Sequence, residues 1–544
     1  MEEIIFLGAS ILLYIVISNY YRIQGEKQKK KQTKEGFGQK PEHREKDVKR
    51  IKIYLENQEE KVDVDDITWN DLSMDEVFWR INNCASSAGE QILYSTMHCT
   101  QKSQEELEEL EESVQYFSEQ EEKRNKTVEA LAQLGKKEAS YYIAPYMEDM
   151  EENKLGYMCI FRILQILPFI FLLGILISQN TIFIGLLFTN LLINIVIYAF
   201  MKMHYDTKLA MLGTLCSVLR VASKLDNIKN EEHFCQKLQE PFLHLIKAGG
   251  NIEKMQSVQN AILSSEMGAL ADYILGATLW HLTAYNKTIN ILIWYKEEYM
   301  KLYKTVGNID MAISIASFRK SIPFCTIPDF WEKHEIELEE VYHPLIEQPV
   351  CNSMNWRKNC IITGSNASGK STFIKAVAVN AILAQTIHTC MAQKMKMPHA
   401  DVVTSMAVQD DIMSGDSYFI KEIKYLKRML EHLNDERCTI CIVDEILRGT
   451  NTKERIAASK AIMEYLEKEN GLVMVASHDQ ELTVLLQDKY DNYHFSEKIG
   501  QQDIEFDYKL YTGPATSHNA IRLLEYVGFP EKIIKDAGKS VSNL

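Results

Sequence analysis

The run Gly364-Ser365-Asn366-Ala367-Ser368-Gly369-Lys370-Ser371 fits the pattern G-x-x-x-x-G-K-[ST] at every position. It follows the apolar "NCIITG" and opens the helical "STFIKAVAVNAILAQ", the strand–loop–helix setting in which the pattern works. Small residues let consecutive backbone N–H groups close around phosphate oxygens at a helix N-terminus. Lys370 is expected to reach the β- and γ-phosphates of ATP, Ser371 to hold Mg²⁺, and Thr372 to complete the cradle.

A second group lies about seventy residues on, in "ICIVDEILRGTNT". Its apolar run reads as a buried strand ending in Asp444 and Glu445. One carboxylate serves the metal's water shell, and the next polarises an attacking water, the two roles hydrolysis requires. The third apolar run, "GLVMVASHD", ends at Ser477 and His478, which places His478 as a γ-phosphate sensor or water positioner. Ser414-Gly415-Asp416-Ser417 has the composition of a phosphate-contacting loop and equally that of a helix N-cap, and local signal does not separate the two. Cys438 and Cys441 form a lone CxxC flanking a strand run, which reads as buried thiols rather than a zinc site.

The elements that must position these groups occupy the last two-fifths of the chain. Beyond Pro323 and Pro328, strand-like and helical runs alternate, as in an α/β domain. Everything before is helical or membrane-like. Ile4 to Ser18 is uncharged and followed by Tyr20 and Tyr21, giving an expected transmembrane anchor at 1–21. Residues 22–52 hold twelve Lys/Arg against five acids, a solvated basic linker (22–60) whose charge keeps it cytoplasmic. The span 61–157 is helical, with Leu107, Leu110, Val114 and Phe117 at helix spacing. Two apolar runs of about twenty residues joined by "QN" predict a transmembrane hairpin at 158–201, with Arg162 snorkelling from one end. Asn190 and Asn194 share a face within it and read as helix–helix glue. A second helical part follows at 202–325.

The 544 residues have room for several compact units, with 46% hydrophobic and 25% charged content. A net charge of −15 and a pI near 5.5 argue against a broad nucleic-acid-coating surface while leaving room for a local basic patch. Eleven cysteines without framework spacing point to a reducing compartment.

Taken in order, "YHPLIEQPV", "ITGSNASGKSTFIK", "DDIMSGDSYF", "VDEILRGTNT", "ASHDQELT" and "GPATSHNAIRLLEYVGFPEKIIKDA" resemble the MutS family of DNA mismatch-repair ATPases, a branch of the ABC-type ATPases. "MDEVFWRINNCASSAGEQILYSTMHC" is similar to the start of that family's helical lever domain. The resemblance implies an ATPase domain at 326–511 and a helical dimerisation tail at 512–544. It also implies a composite site, in which Ser414, Gly415 and Ser417 of one copy of a homodimer complete the nucleotide site of the other. Arg448, Gly449 and Thr450 would then line the subunit boundary. Tyr418 stands where the family usually has Thr. Phe117-Ser118-Glu119 and Phe330-Trp331-Glu332 match the letters of the family's Phe-x-Glu mismatch wedge but not its setting. The hairpin falls near the family's DNA clamp, which it is expected to replace.

The expectation is therefore a multi-pass protein of the cell membrane with a cytoplasmic P-loop (ABC/MutS-type) ATPase domain after an all-α lever-like region. Glu445 and His478 are its catalytic residues, and Ser371 and Asp444 its metal ligands. Its client is DNA or, alternatively, a membrane or protein partner moved without DNA. A transporter ATPase is disfavoured, because three spans are too few for a substrate path.

Overall fold

The computed structural model describes residues 36–43, 46–58, 62–227, 276–365, 368–406, 418–433, 437–467, 471–499, 504–515 and 528–541. The expected anchor, residues 22–35 of the basic linker, Asn366, Ala367, Ser414, Gly415, Ser417 and residues 516–527 of the tail lie outside them.

The described residues of the first part of the chain are mainly helical. Helices α1 (Lys49–Glu56), α2 (Asp66–Asp71), α3 (Met74–Ile81), α4 (Ser87–His98), α5 (Gln104–Glu119), α6 (Glu121–Leu134), α7 (Ile143–Glu148), α8 (Met158–Ser178), α9 (Ile182–Asn227), α10 (Trp280–Trp294) and α11 (Lys296–Lys320) follow in order. In α5 the predicted stripe is observed, with Leu107, Val114 and Phe117 buried and Leu110 half-buried. Phe117 of the first Phe-x-Glu run thus sits at the inner side of a helix end.

Contacts divide the chain into two compact units, residues 1–59, 82–95 and 113–317, and residues 60–81, 96–112 and 318–544. The segment 61–157, expected as one helical region, is shared between the two units. Side chains explain why 60–81 and 96–112 pack with the C-terminal unit instead. Arg428 grips Asp65 at 2.7 Å, the Thr404 hydroxyl donates to Asp71 at 2.8 Å, and Arg319 forks onto both Glu111 oxygens at 2.7 Å each.

Within the first unit α8 and α9 form a hairpin through Gln179–Thr181. Both are long and apolar enough to cross a membrane, over Met158–Ser178 and Ile182–Tyr205. Their large apolar side chains face outward, with Phe169 at 72%, Leu176 at 77% and Phe188 at 68% exposure. A helix from a soluble core would bury such residues. The Asn194 amide donates to the Leu164 and Ala277 carbonyls at 3.3 and 2.8 Å, tying α9 to α8 and to the chain entering α10. Helix α9 leaves helical geometry once, at Tyr205 (φ −124°, ψ 18°).

The second unit is built on strands β1 (Asp329–Phe330), β2 (Ile336–Val341), β3 (Asn352–Trp356), β4 (Cys360–Thr363), β5 (Lys394–Met397), β6 (Ala400–Ser405), β7 (Cys438–Asp444), β8 (Gly471–Ala476), β9 (Asp491–Ile499) and β10 (Ile504–Thr512). Its helices are α12 (Lys370–Ile387), α13 (Tyr418–His432), α14 (Thr452–Leu466), α15 (Gln480–Leu485) and α16 (Glu531–Val541). A small sheet has order β1-β5-β2-β3, and the main sheet β10-β9-β4-β8-β7-β6. The main sheet is parallel except for β10. Strand β7 is buried from Cys438 to Val443, as expected for a parallel strand covered on both faces. Ile361, Cys441, Val443, Val473 and Val475 meet Leu426 and Met429 of α13 and Met463 and Leu466 of α14 in the core. Burial raises the thiol pKa of Cys438 to about 11 and of Cys441 to about 12, so the CxxC is a pair of inert core residues. Among the described residues no cluster of three His, Cys, Asp or Glu could hold a metal.

Candidate functional site

Register decides which residues meet. Ile362 of β4 lies opposite Ala476 of β8, and Ala476 lies opposite Asp444 of β7. The three central strands therefore end level, and the loops leaving them emerge along one edge. In an open α/β sheet this carboxyl edge is where ligands bind.

From β4 the chain enters the glycine loop. Gly364 and Gly369 have φ +142° and +102°, values that favour glycine. A Cβ on Gly364 would stand 2.9 Å from the Phe495 carbonyl and the Ser368 hydroxyl, so the loop closes only around glycine. The Ser368 hydroxyl donates to the Ser365 carbonyl at 2.7 Å. Lys370, 1% exposed at the start of α12, donates from Nζ to the Gly364 and Ser365 carbonyls at 2.6 and 2.9 Å. Its ammonium thus lies inside the loop it was predicted to serve. Ser371 is half-buried beside it and Thr372 is exposed.

From β7 the chain turns sharply. Glu445 adopts φ +66° and Leu447 φ +57°, backbone costs of about 1–2 kcal/mol each for residues with side chains. The Glu445 N–H donates to the Ala476 carbonyl at 2.9 Å, fixing the turn to β8. Its carboxylate is gripped from two sides, by His478 Nε2 at 3.0 Å on Oε1 and by Arg448 Nε on Oε2. Burial opposes its ionisation, but the His478 hydrogen bond and the Arg448, His478 and Lys370 charges prevail and hold its pKa below the ordinary glutamate value. Next to it, Asp444 Oδ1 is buried with no hydrogen-bond partner among the described residues. An unpartnered buried carboxylate oxygen is costly, and a hydrated cation would satisfy it.

His478 is set in place by its neighbours. The Ser477 N–H donates to the Ile362 carbonyl at 3.0 Å, and Arg455 forks onto Asp479 at 2.9 and 2.6 Å. The loop after Glu445 is held from α13. The Arg448 N–H donates to Glu422 Oε1 at 2.9 Å, and a Cβ on Gly449 would come within 2.8 Å of Phe419 Cβ. Burial raises the Glu422 pKa against the Leu447, Arg448 and Gly449 N–H groups, which favour the anion.

The structure thus gathers Gly364, Ser365, Ser368, Gly369, Lys370, Ser371, Asp444, Glu445 and His478 at one edge. Sequence reasoning missed Glu422, the Arg455–Asp479 fork and the grip of Arg448 on Glu445. The family resemblance implies only a subunit-boundary place for Arg448, whereas its Nε meets the Glu445 carboxylate.

Fold and site together define an α/β domain that collects a glycine-rich strand–helix turn, a paired carboxylate and a histidine at the carboxyl edge of a parallel sheet. Residues 360–544 match the family model described as MutS domain V. The chain is 28% identical over 327 residues to the DNA mismatch repair protein MutS of Geobacillus sp. (strain WCH70), covering 57% of this chain and 38% of that protein. It is 28% identical over 263 residues to that of Streptococcus pyogenes serotype M49 (strain NZ131), covering 46% and 31%. For the protein of the same name from Listeria monocytogenes serotype 4a (strain HCC23) the identity is 29%, covering 46% and 30%. These matches make the C-terminal domain of the chain similar to domain V of the MutS proteins. The chain spans less than two-fifths of the length of these curated relatives.

Proposed function

We propose that this chain is a membrane-anchored, MutS-like ATPase that hydrolyses ATP at a site completed by a second copy and passes the closure to its helical region. The observation that carries the reading is the meeting of Lys370, Asp444, Glu445 and His478 at the ends of three strands in register. The loop from Gly364 to Lys370 binds the phosphates through backbone N–H groups and the ammonium. Glu445, kept ionised by its cationic neighbours, accepts the proton of the attacking water, and His478 orients that carboxylate. Asp444, with its unpartnered oxygen, and Ser371 are the residues that would hold Mg²⁺, which would supply neutralisation of phosphate charge. Ser414, Gly415 and Ser417 reach the partner's nucleotide in the homodimer. The outward-facing apolar hairpin supports a bilayer location, with the ATPase domain on the cytoplasmic side and DNA as client, in line with the mismatch-repair names of the relatives.

The test is ATP turnover with binding measured alongside. Glu445→Gln should lower kcat at least about a hundredfold while an ATP-bound dimer accumulates. Lys370→Ala should abolish ATP binding. Parental turnover by Glu445→Gln would remove Glu445 as base, and full turnover by a strict monomer with Ser417→Ala would remove the composite site.

The exposed hairpin favours one second reading, an ATP-driven mechanoenzyme that acts on a membrane or protein partner without DNA. The molecules recovered with the trapped Glu445→Gln dimer distinguish the two.

A further inference from the structure

The open base of the hairpin holds a cavity of about 380 Å³ lined by Met158, Cys159 and Arg162 of α8 and by Asn286, Lys287, Asn290, Ile291 and Trp294 of α10. We propose that it binds the phosphate of an anionic phospholipid headgroup. The proposal rests on the reading that α8 and α9 cross a bilayer, and it adds which lipid the protein selects.

The walls are fixed one turn further into the apolar span. There the Gln165 amide donates to the Thr278 carbonyl and the Thr283 hydroxyl at 2.9 and 3.0 Å, locking α8 against α10. Arg162 precedes Gln165 by three residues, and Lys287 follows Thr283 by four. Helical periodicity therefore brings both cations to the same level on facing helices. Both are exposed, and neither has a carboxylate partner among the described residues. Asn286 spends its carbonyl oxygen on the Leu155 N–H at 2.9 Å, which leaves its NH₂ group as a further donor.

Two unpaired cations beside amide donors are complementary to a phosphate. Their position selects the lipid-borne form of that group. Above them α8 and α9 present many exposed large apolar side chains, against which acyl tails fit. One to two turns further from the apolar span Trp294 is 84% and Tyr157 77% exposed, the aromatic pair expected where a span meets the headgroups. Basic pockets between membrane helices on the cytoplasmic side take anionic headgroups for this reason.

The experiment uses the full chain in neutral detergent, titrated with short-chain phosphatidylglycerol, short-chain phosphatidylcholine or inorganic phosphate. Trp294 fluorescence is the readout, with Trp294→Phe identifying its share of the signal. Phosphatidylglycerol should saturate the signal at concentrations where phosphatidylcholine gives none. Arg162→Gln and Lys287→Gln should each weaken it about fivefold, and the double variant about 25-fold. The charge-conserving Arg162→Lys/Lys287→Arg variant should keep it. Equal response to the two lipids, an unaffected double glutamine variant or loss in the charge-conserving one overturns the proposal. Inorganic phosphate acting as well as phosphatidylglycerol overturns the lipid source. Flotation with pure phosphatidylcholine vesicles tests the bilayer reading separately. Parental chain that floats without discriminating headgroups sinks this site alone, whereas chain that fails to float sinks the spanning hairpin.

Discussion

At the residue scale the site turns on how Glu445 is held. Both oxygens are engaged, one by His478 and one by Arg448, and the His478 hydrogen bond together with the Arg448 charge outweighs burial in setting its pKa. A general base works only when ionised, so a lowered pKa extends activity further into acid. Turnover should then fall as pH drops through that lowered value. Arg448→Gln removes one stabilising charge, so the carboxyl pKa rises and the acid limb of kcat should move to higher pH. A limb that stays in place would mean that another group sets it. The places of the glycine loop and of the Asp444-Glu445 pair at strand ends were legible because they follow from local order along the chain. The Arg448 grip was not, because it depends on positive φ at Glu445 and Leu447, which no residue type there announces. Glu422 escaped notice for a related reason. Its carboxylate matters only because α13 packs where the Arg448 N–H can reach it.

At the element scale, within the helical unit α4 and α11 cross closely. Asp310 of α11 accepts from the Ala85 and Ser86 N–H groups at 2.9 and 2.8 Å, at the start of α4. A Cβ on Gly89 would collide with Asp310 at 2.3 Å, and one on Gly307 would meet Ile92 Cγ1 at 2.3 Å and the Ala88 carbonyl at 2.9 Å. Two glycines on opposite helices therefore set the approach of their backbones. Gly307→Ala weighs two effects of opposite sign. Helix propensity favours alanine by about 1 kcal/mol, while overpacking costs about 1–3 kcal/mol. The second should win, because Ala88 presents a backbone carbonyl that cannot rotate away. The expected result is a lower urea midpoint at unchanged m, and a raised midpoint would deny the crossing. Among the described residues helix existence was plain from periodicity. Which helices cross was not, since Gly89 and Gly307 lie far apart in the chain and each looks like an ordinary helix-weakening residue. The outward apolar faces of α8 and α9 were legible throughout, because unbroken hydrophobic length needs no partner to be recognised.

At the scale of the whole molecule, charge constrains the client. With a net −15, the chain as a whole repels a polyanion, so any DNA must be held by a local set of Lys and Arg side chains against that background. Such binding is driven by release of counterions and weakens by about 0.9 log units per phosphate contact for each log unit of salt. The DNA reading therefore requires a steep slope when the vesicle-reconstituted chain is titrated with duplex from about 50 to 200 mM salt. A shallow slope would assign the contact to something other than phosphates, and no binding at the low end would move the client to protein or membrane. The Glu445→Gln chain is the right species for this measurement. In the proposed ATP-held dimer two copies of any basic patch would act together, and two linked weak contacts bind far more tightly than one. If duplex affinity is the same with and without ATP in that variant, nucleotide closure does not reach the client, and the coupling between the ATP site and the helical region is lost from the account.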